Sequence, residues 1–164
     1  MCLIVKKETK QTKLESDMIV WKVVNVIGNL ATSLFWRHQQ FMYEQSKTYS
    51  TTIEKSLEIQ PMIFDDIVFK QFGKELADFV GRGCTVKLSY LLGNGVAEAY
   101  GRGFHFATTR GRLDFALKVE SLRNASASIE QFVVPKGATV IFDESGLGVA
   151  SEIRWEPKKC SAWI

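Results

Sequence analysis

Three glycines, three arginines and one of the chain's two histidines fall within twelve residues, Gly101-Arg102-Gly103-Phe104-His105-Phe106-Ala107-Thr108-Thr109-Arg110-Gly111-Arg112. Cationic donors, pliable backbone and aromatic surface concentrate here as nowhere else in the chain, which is the composition of a pocket for an anion or a nucleotide. If Phe104 and Phe106 face a core, the pleat puts His105 on the opposite face with Gly103 and Ala107. Those small neighbours would leave room for a ligand beside the imidazole. Thr108 or Thr109 caps a predicted helix, and a helix N-terminus favours anions. Arg110 and Arg112 are suited to bidentate phosphate contacts, with Arg102 as a third cation. The ordinary alternative is a satisfied sheet histidine between solvated arginines. The glycine pattern is not a dinucleotide fingerprint, because it follows no long parallel strand and opens no βαβ unit.

Three further groups could carry chemistry. Lys22 stands among Trp21, Val23 and Val24 in an apolar run, so its amine either snorkels to an edge or faces a polar cavity. In Trp36-Arg37-His38-Gln39-Gln40-Phe41-Met42-Tyr43-Glu44, aromatics interleaved with Arg37 and His38 could stack on and bond a base, Trp36 and Tyr43 being the candidate platforms. The same residues could instead pin an irregular segment to the core. Ser151-Glu152-Ile153-Arg154 would, with Ile153 inward, put Glu152 and Arg154 on one face. Glu152 could then act as a general base or ribose-hydroxyl acceptor, against the alternative of an exposed Glu–Arg pair.

The familiar enzyme signatures are missing: no phosphate-binding Walker loop, no H-E-x-x-H and no G-x-S-x-G. If the chain were an enzyme, Glu152 and His105 would be the catalytic candidates. Two histidines and the dispersed Cys2, Cys84 and Cys160 supply neither a usual zinc site nor a disulfide framework. No cofactor is expected. The net charge of +3 is mild for a duplex-DNA binder. No apolar run reaches transmembrane length and no signal-peptide order is present, so the expectation is the cytosol, with no membrane and no duplex DNA as partner.

The elements that must position these groups follow from patterning. The chain has 164 residues, 46% of them hydrophobic, enough for one domain without staples. Residues 1–156 read as a single α+β domain and 157–164 as a tail. Met18 to Ile27, β-branched and aromatic, predicts a buried strand closed by a Gly28-Asn29 turn. Phe64 to Val80 predicts one helix and Thr108/Thr109 to Leu122 a second, its apolar positions being Leu113, Ala116, Leu117 and Val119. Strands are expected at Cys84 to Leu92, before a Gly93-Asn94-Gly95 turn. Others are expected at Val96 to Tyr100, Gly103 to Ala107, Ile129 to Val134, Ala138 to Phe142 and Val149 to Trp155. Pro135-Lys136-Gly137 reads as a turn. The sum is a mostly antiparallel twisted sheet of six or seven strands with two main helices.

Several segments in order resemble a group of small bacteriophage and mobile-element proteins. They are Met1-Cys2-Leu3-Ile4, Asp17 to Val24, Tyr43-Glu44-Gln45-Ser46-Lys47-Thr48-Tyr49, Gly103-Phe104-His105-Phe106-Ala107, and Val134-Pro135-Lys136-Gly137-Ala138 followed by Val149 to Ile153. In the second place, Lys22, Gly103–Ala107 and Glu152 stand in the order of three elements of the ADP-ribosyltransferase fold, to which the chain has a fainter similarity. Lys22 replaces the usual arginine or histidine there, and His105 stands where tyrosine is common. That resemblance implies a retained nucleotide cleft more readily than NAD-dependent chemistry.

The resulting expectation is a phage-type protein that sequesters a phosphorylated or nucleotide-like small molecule, a cyclic nucleotide or ADP-ribose-like signal. A counter-defence use and a homo-oligomer fit that expectation. The expected ligand residues are Lys22, Trp36, Tyr43, Arg102, His105, Arg110 and Arg112. The alternatives are an ADP-ribosyl-transferring or NAD-cleaving enzyme, and an interaction module that inhibits a host protein through Trp36, Tyr43 and Trp163.

Overall fold

A computed structural model describes residues 3–6, 9–34, 41–59, 97–143 and 146–158. The expected helix over 64–80, the strand over 84–92, the turn at 93–95, Trp36 and Trp163, and all three cysteines lie outside these described residues. Within them run thirteen short strands: β1 (Leu3–Lys6), β2 (Thr12–Lys13), β3 (Met18–Ile27), β4 (Leu30–Ser33), β5 (Met42–Glu44), β6 (Thr48–Ser50), β7 (Glu54–Ile59), β8 (Ala97–Arg102), β9 (Phe104–Ala107), β10 (Ala127–Val134), β11 (Thr139–Phe142), β12 (Leu147–Ala150) and β13 (Glu152–Trp155). A 3-10 turn, Arg110–Leu113, leads into α1 (Asp114–Ser121).

The architecture is mostly antiparallel sheet, as the patterning predicts, with one short helix among the described residues. Strands are more numerous than expected: β2 and β4 stand where the patterning predicts none, and the strand expected over Val149 to Trp155 is divided at Ser151. The larger sheet orders its strands β2-β11-β12-β9-β3-β10-β13-β6, and β4 and β5 extend from β3. β12 and β13 are one segment bent at Ser151. β12 pairs with β9, β9 with β3, β3 with β10, and β10 with β13. The pairing therefore returns to its starting segment, and the sheet closes into a small barrel, which removes most of its free edges. The smaller sheet, β1-β8-β7, packs on the outside of this wall: Leu3, Val5 and Tyr100 cluster with Ile141 and Val149.

The apolar run of β3 is nearly continuous because both of its faces are covered. Val20 and Val24 join Phe104, Phe106, Phe132, Val134, Ile153 and Trp155 inside the barrel. Val23 faces outward under the 3-10 turn and α1, with Ala107, Leu113 and Ile129. The helix is shorter than expected. Thr109 stands before the 3-10 turn in extended conformation and makes no side-chain cap bond. Thr108 uses its N–H and hydroxyl to donate to Gly146 O at 2.8 and 3.0 Å. Val119, expected on the core face, lies on the exposed side of α1.

Two glycines carry the junctions. Gly103 separates β8 from β9, so one interrupted strand serves both sheets. Its φ of +139° is open to glycine, and a Cβ there would collide with the side chain of Val149. Gly148 on β12 lies directly opposite Phe106, and a Cβ there would run into the Phe106 ring, with Ile141 O at 3.1 Å behind it. Overpacking of this kind costs about 1–3 kcal/mol. Gly148→Ala should therefore lower urea-unfolding stability by about that amount. In a Phe106→Leu background the same change should cost measurably less, because the two sites share one contact. Equal losses in both backgrounds would remove Phe106 as the reason for glycine.

Candidate functional site

Lys22 does neither of the things its sequence context suggests. The pleat of β3 turns it inward with Val20 and Val24, and it is only 7% exposed. Its amine donates a hydrogen bond to the His105 carbonyl and lies 5.8 Å from the centre of the Tyr43 ring. The position makes structural sense. β9 is registered against β3 only at Trp21↔Ala107, and β3 turns to β4 from Val24 onward. The amine thus serves a carbonyl at the place where β9 leaves β3, which satisfies a buried acceptor. Glu130 faces Lys22 across the β3–β10 ladder, but its carboxylate accepts from Ser128 Oγ at 3.3 Å. Burial without a paired carboxylate lowers the Lys22 pKa to about 7.

His105 is equally internal, on the other face of the wall. Its side chain stands opposite Val149, the valine that packs against the smaller sheet, and it is 3% exposed. The expected open space beside the imidazole is therefore absent. The ring nitrogen Nε2 lies 3.0 Å from Gly101 O. A carbonyl can only accept, so Nε2 carries the proton and donates. Burial holds the His105 pKa at about 3, the nearby Lys22 amine adding to the shift and the Gly101 bond opposing it. At neutral pH the imidazole is uncharged.

The other expected site residues separate. Tyr43 is buried among Phe41, Tyr49, Phe104 and Phe132, with ring centres 4.7 to 6.1 Å away, and burial raises its phenol pKa. It is a core residue and offers no face to a base. Arg102, on the smaller sheet, pairs with Glu54 at 3.2 Å in an exposed position, a geometry that contributes little to stability. Ile153 and Trp155 point into the barrel, so the pleat turns Glu152 and Arg154 outward, as expected. Glu152 accepts from Ser50 Oγ at 3.4 Å, whereas Arg154 pairs with Glu156 at 2.7 Å. Lys22 and Glu152 thus lie on opposite faces of the barrel wall and do not meet in one cleft.

Arg110 and Arg112 remain together. Both are exposed on the single 3-10 turn against the outer face of β3 and β9. The Arg110 guanidinium lies over the Trp21 indole, 5.8 Å from the ring centre. Trp21, absent from the expected site residues, is half-buried against the cluster of Val23, Ala107, Leu113 and Ile129. The signal for it was present in the strand: Trp21 alternates with inward Val20 and Lys22, so it had to face outward. A guanidinium lying over an indole, with a second guanidinium in the same turn, can bind phosphate oxygens beside an aromatic surface. Among the described residues no cluster of histidine, cysteine, aspartate and glutamate could hold a metal ion.

The two depressed pKa values set a pH dependence. Between pH 3 and 6.5 the unfolded chain binds a proton at His105 that the folded protein rejects, and between about 7 and 10.5 the same holds for Lys22. Stability should rise with pH across both windows. Lys22→Met should abolish the upper rise and keep the lower one, and above about pH 8, where the amine is neutral, it should cost about 1–3 kcal/mol by leaving the His105 carbonyl without its donor. Urea-unfolding midpoints measured from pH 4 to 10 check this, and an unchanged upper window would contradict the buried amine. Comparison of the chain with protein-family models, with curated proteins and with solved structures finds no match in any of the three.

Proposed function

We propose that this protein binds a phosphorylated, nucleotide-like small molecule without turning it over, at the corner formed by Arg110, Arg112 and Trp21. The observation that carries this reading is the exposed stack of Arg110 on Trp21 with Arg112 in the same turn. Guanidinium forks suit phosphate oxygens, and the exposed part of the half-buried indole adds apolar surface beside them. The site is smaller than the one expected from the sequence: Lys22 and His105 act inside the wall, and Arg102 belongs to the other sheet. The ordered phage-type segments favour sequestration of a cyclic or ADP-ribose-derived signal in a counter-defence role. Enzymatic ADP-ribosyl transfer is less well supported, since Lys22 and Glu152 face away from each other across the wall.

The test is native mass spectrometry of protein purified from cells that make nucleotide signals, with heat release of anything bound. A released nucleotide that raises the melting temperature when added back supports the reading. Two charge-assisted contacts are each worth about 1.5–3 kcal/mol. Arg110→Ala with Arg112→Ala should therefore weaken binding by about a hundredfold or more, with the far-ultraviolet circular dichroism spectrum of the folded protein retained. Undiminished affinity in the folded double variant would remove this corner as the site. Nicotinamide release from NAD that disappears in Glu152→Gln would instead establish the enzyme.

A further inference from the structure

The 3-10 turn and α1 cover the outer face of the wall on some sides of the Arg110–Trp21 stack and leave another open. The turn packs on β3 and β9, and α1 on β10. Leu113, Ala116 and Leu117 lie over Val23 and Ile129, so the face is closed on the Val23 side of Trp21. On the β9 side, Thr108 is tied to Gly146 O by its N–H and its hydroxyl. The side toward Ile19 is open among the described residues. Ile19 precedes Trp21 by two positions, so it shares the outer face, and it is 55% exposed.

The register of β3 with β10 sets Gln131 beside this opening. Gln131 stands opposite Trp21, and Val133 opposite Ile19. Residues opposed in an antiparallel ladder share a face, with Cβ atoms about 4.5–5.5 Å apart. Phe132 points into the barrel, so its neighbour Gln131 points out. Gln131 is half-buried, and among the described residues its amide has no hydrogen-bond partner. Beyond Val133 the same row reaches Arg154, whose guanidinium is engaged by Glu156 at 2.7 Å. Cations free for phosphate therefore stay on the 3-10 turn, and the strip of Ile19, Gln131 and Val133 is left to an uncharged part of the ligand.

We propose that Gln131 determines specificity at this corner: the nucleobase of the ligand lies over Ile19 and Val133, and the Gln131 amide bonds one edge of the base. This rests on the phosphate reading of Arg110 and Arg112, and it names what is attached to the phosphate. Ile19 and Trp21 are about 7 Å apart along the strand, a distance a ribose can bridge. An apolar floor suits the face of a flat heterocycle and not the hydroxyls of a sugar. The amide presents an acceptor oxygen beside a donor nitrogen, the complement of the adjacent donor and acceptor on a base edge, as when glutamine pairs with adenine N6 and N7.

Isothermal titration calorimetry with inorganic pyrophosphate and with ADP, GDP, CDP and UDP tests the proposal. At least one nucleoside diphosphate should bind about tenfold more tightly than pyrophosphate. Gln131→Leu should weaken that nucleotide about fivefold and leave pyrophosphate affinity unchanged. Ile19→Ser, at an exposed position, should act in the same selective way, whereas Arg110→Ala with Arg112→Ala should weaken both kinds of probe. Pyrophosphate bound as tightly as every nucleotide, or a folded Gln131→Leu variant with undiminished nucleotide affinity, would overturn the role of Gln131 and leave the arginine corner standing. Equal loss of nucleotide and pyrophosphate in Gln131→Leu would also overturn it, since the residue would then act on the structure of the corner. Binding of none of these probes would overturn the corner itself, and this inference with it.

Discussion

The hydrogen bond from the Lys22 amine to the His105 carbonyl joins the parts of this fold that matter most. β3 is the strand that both faces of the barrel wall depend on, and β9 is the strand that continues from the smaller sheet. Where they diverge, a backbone acceptor would be left buried. The lysine answers it from inside, while the imidazole of the same His105 reaches Gly101 from outside. One residue therefore ties the barrel interior to the outer sheet through its carbonyl and its ring. Burial of the two side chains lowers both pKa values, so that His105 is uncharged at neutral pH and Lys22 titrates near 7.

This arrangement takes the most chemically suggestive residues out of contact with solvent. A lysine in an apolar strand and a histidine between glycine and aromatic residues read as ligand groups in the sequence. In the fold they satisfy backbone acceptors, and Tyr43 packs with four other aromatic rings. What the surface retains is the Arg110–Trp21 stack, the neighbouring Arg112, and the exposed side of α1. Recognition of an anion through guanidinium groups and apolar surface is consistent with that distribution, and acid–base chemistry at Lys22 or His105 is not.

Much of the sheet was legible because local signals agreed with the tertiary ones. Met18–Ile27 is β-branched and aromatic and is covered on both faces over Val20 to Val24; Pro135-Lys136-Gly137 has turn chemistry and is a turn, pinned by Lys136 N–H donating to Asp17 Oδ1 at 2.8 Å. Gly103 was readable as an interruption. Its cause was not, because the collision it avoids is with Val149, far along the chain. Closure of the barrel through the bend at Ser151 is likewise a long-range property with no local periodicity. His105 is buried by a sheet built from residues 3–6, 54–59 and 97–102, which no window around position 105 contains. Helix α1 was found, but the side it presents was misread at Val119, since a stripe of apolar residues does not say which of two possible faces meets the core.

The measurement that bears most directly on this account is the pKa of the Lys22 amine, read by NMR titration of its Cε and Nζ resonances with Lys22→Met to assign them. Burial of the amine inside the barrel predicts a value near 7. A value near 10.5, the ordinary value for lysine, would place the amine in water. It would undo the inward assignment of Lys22 and return it to the residues available to a ligand.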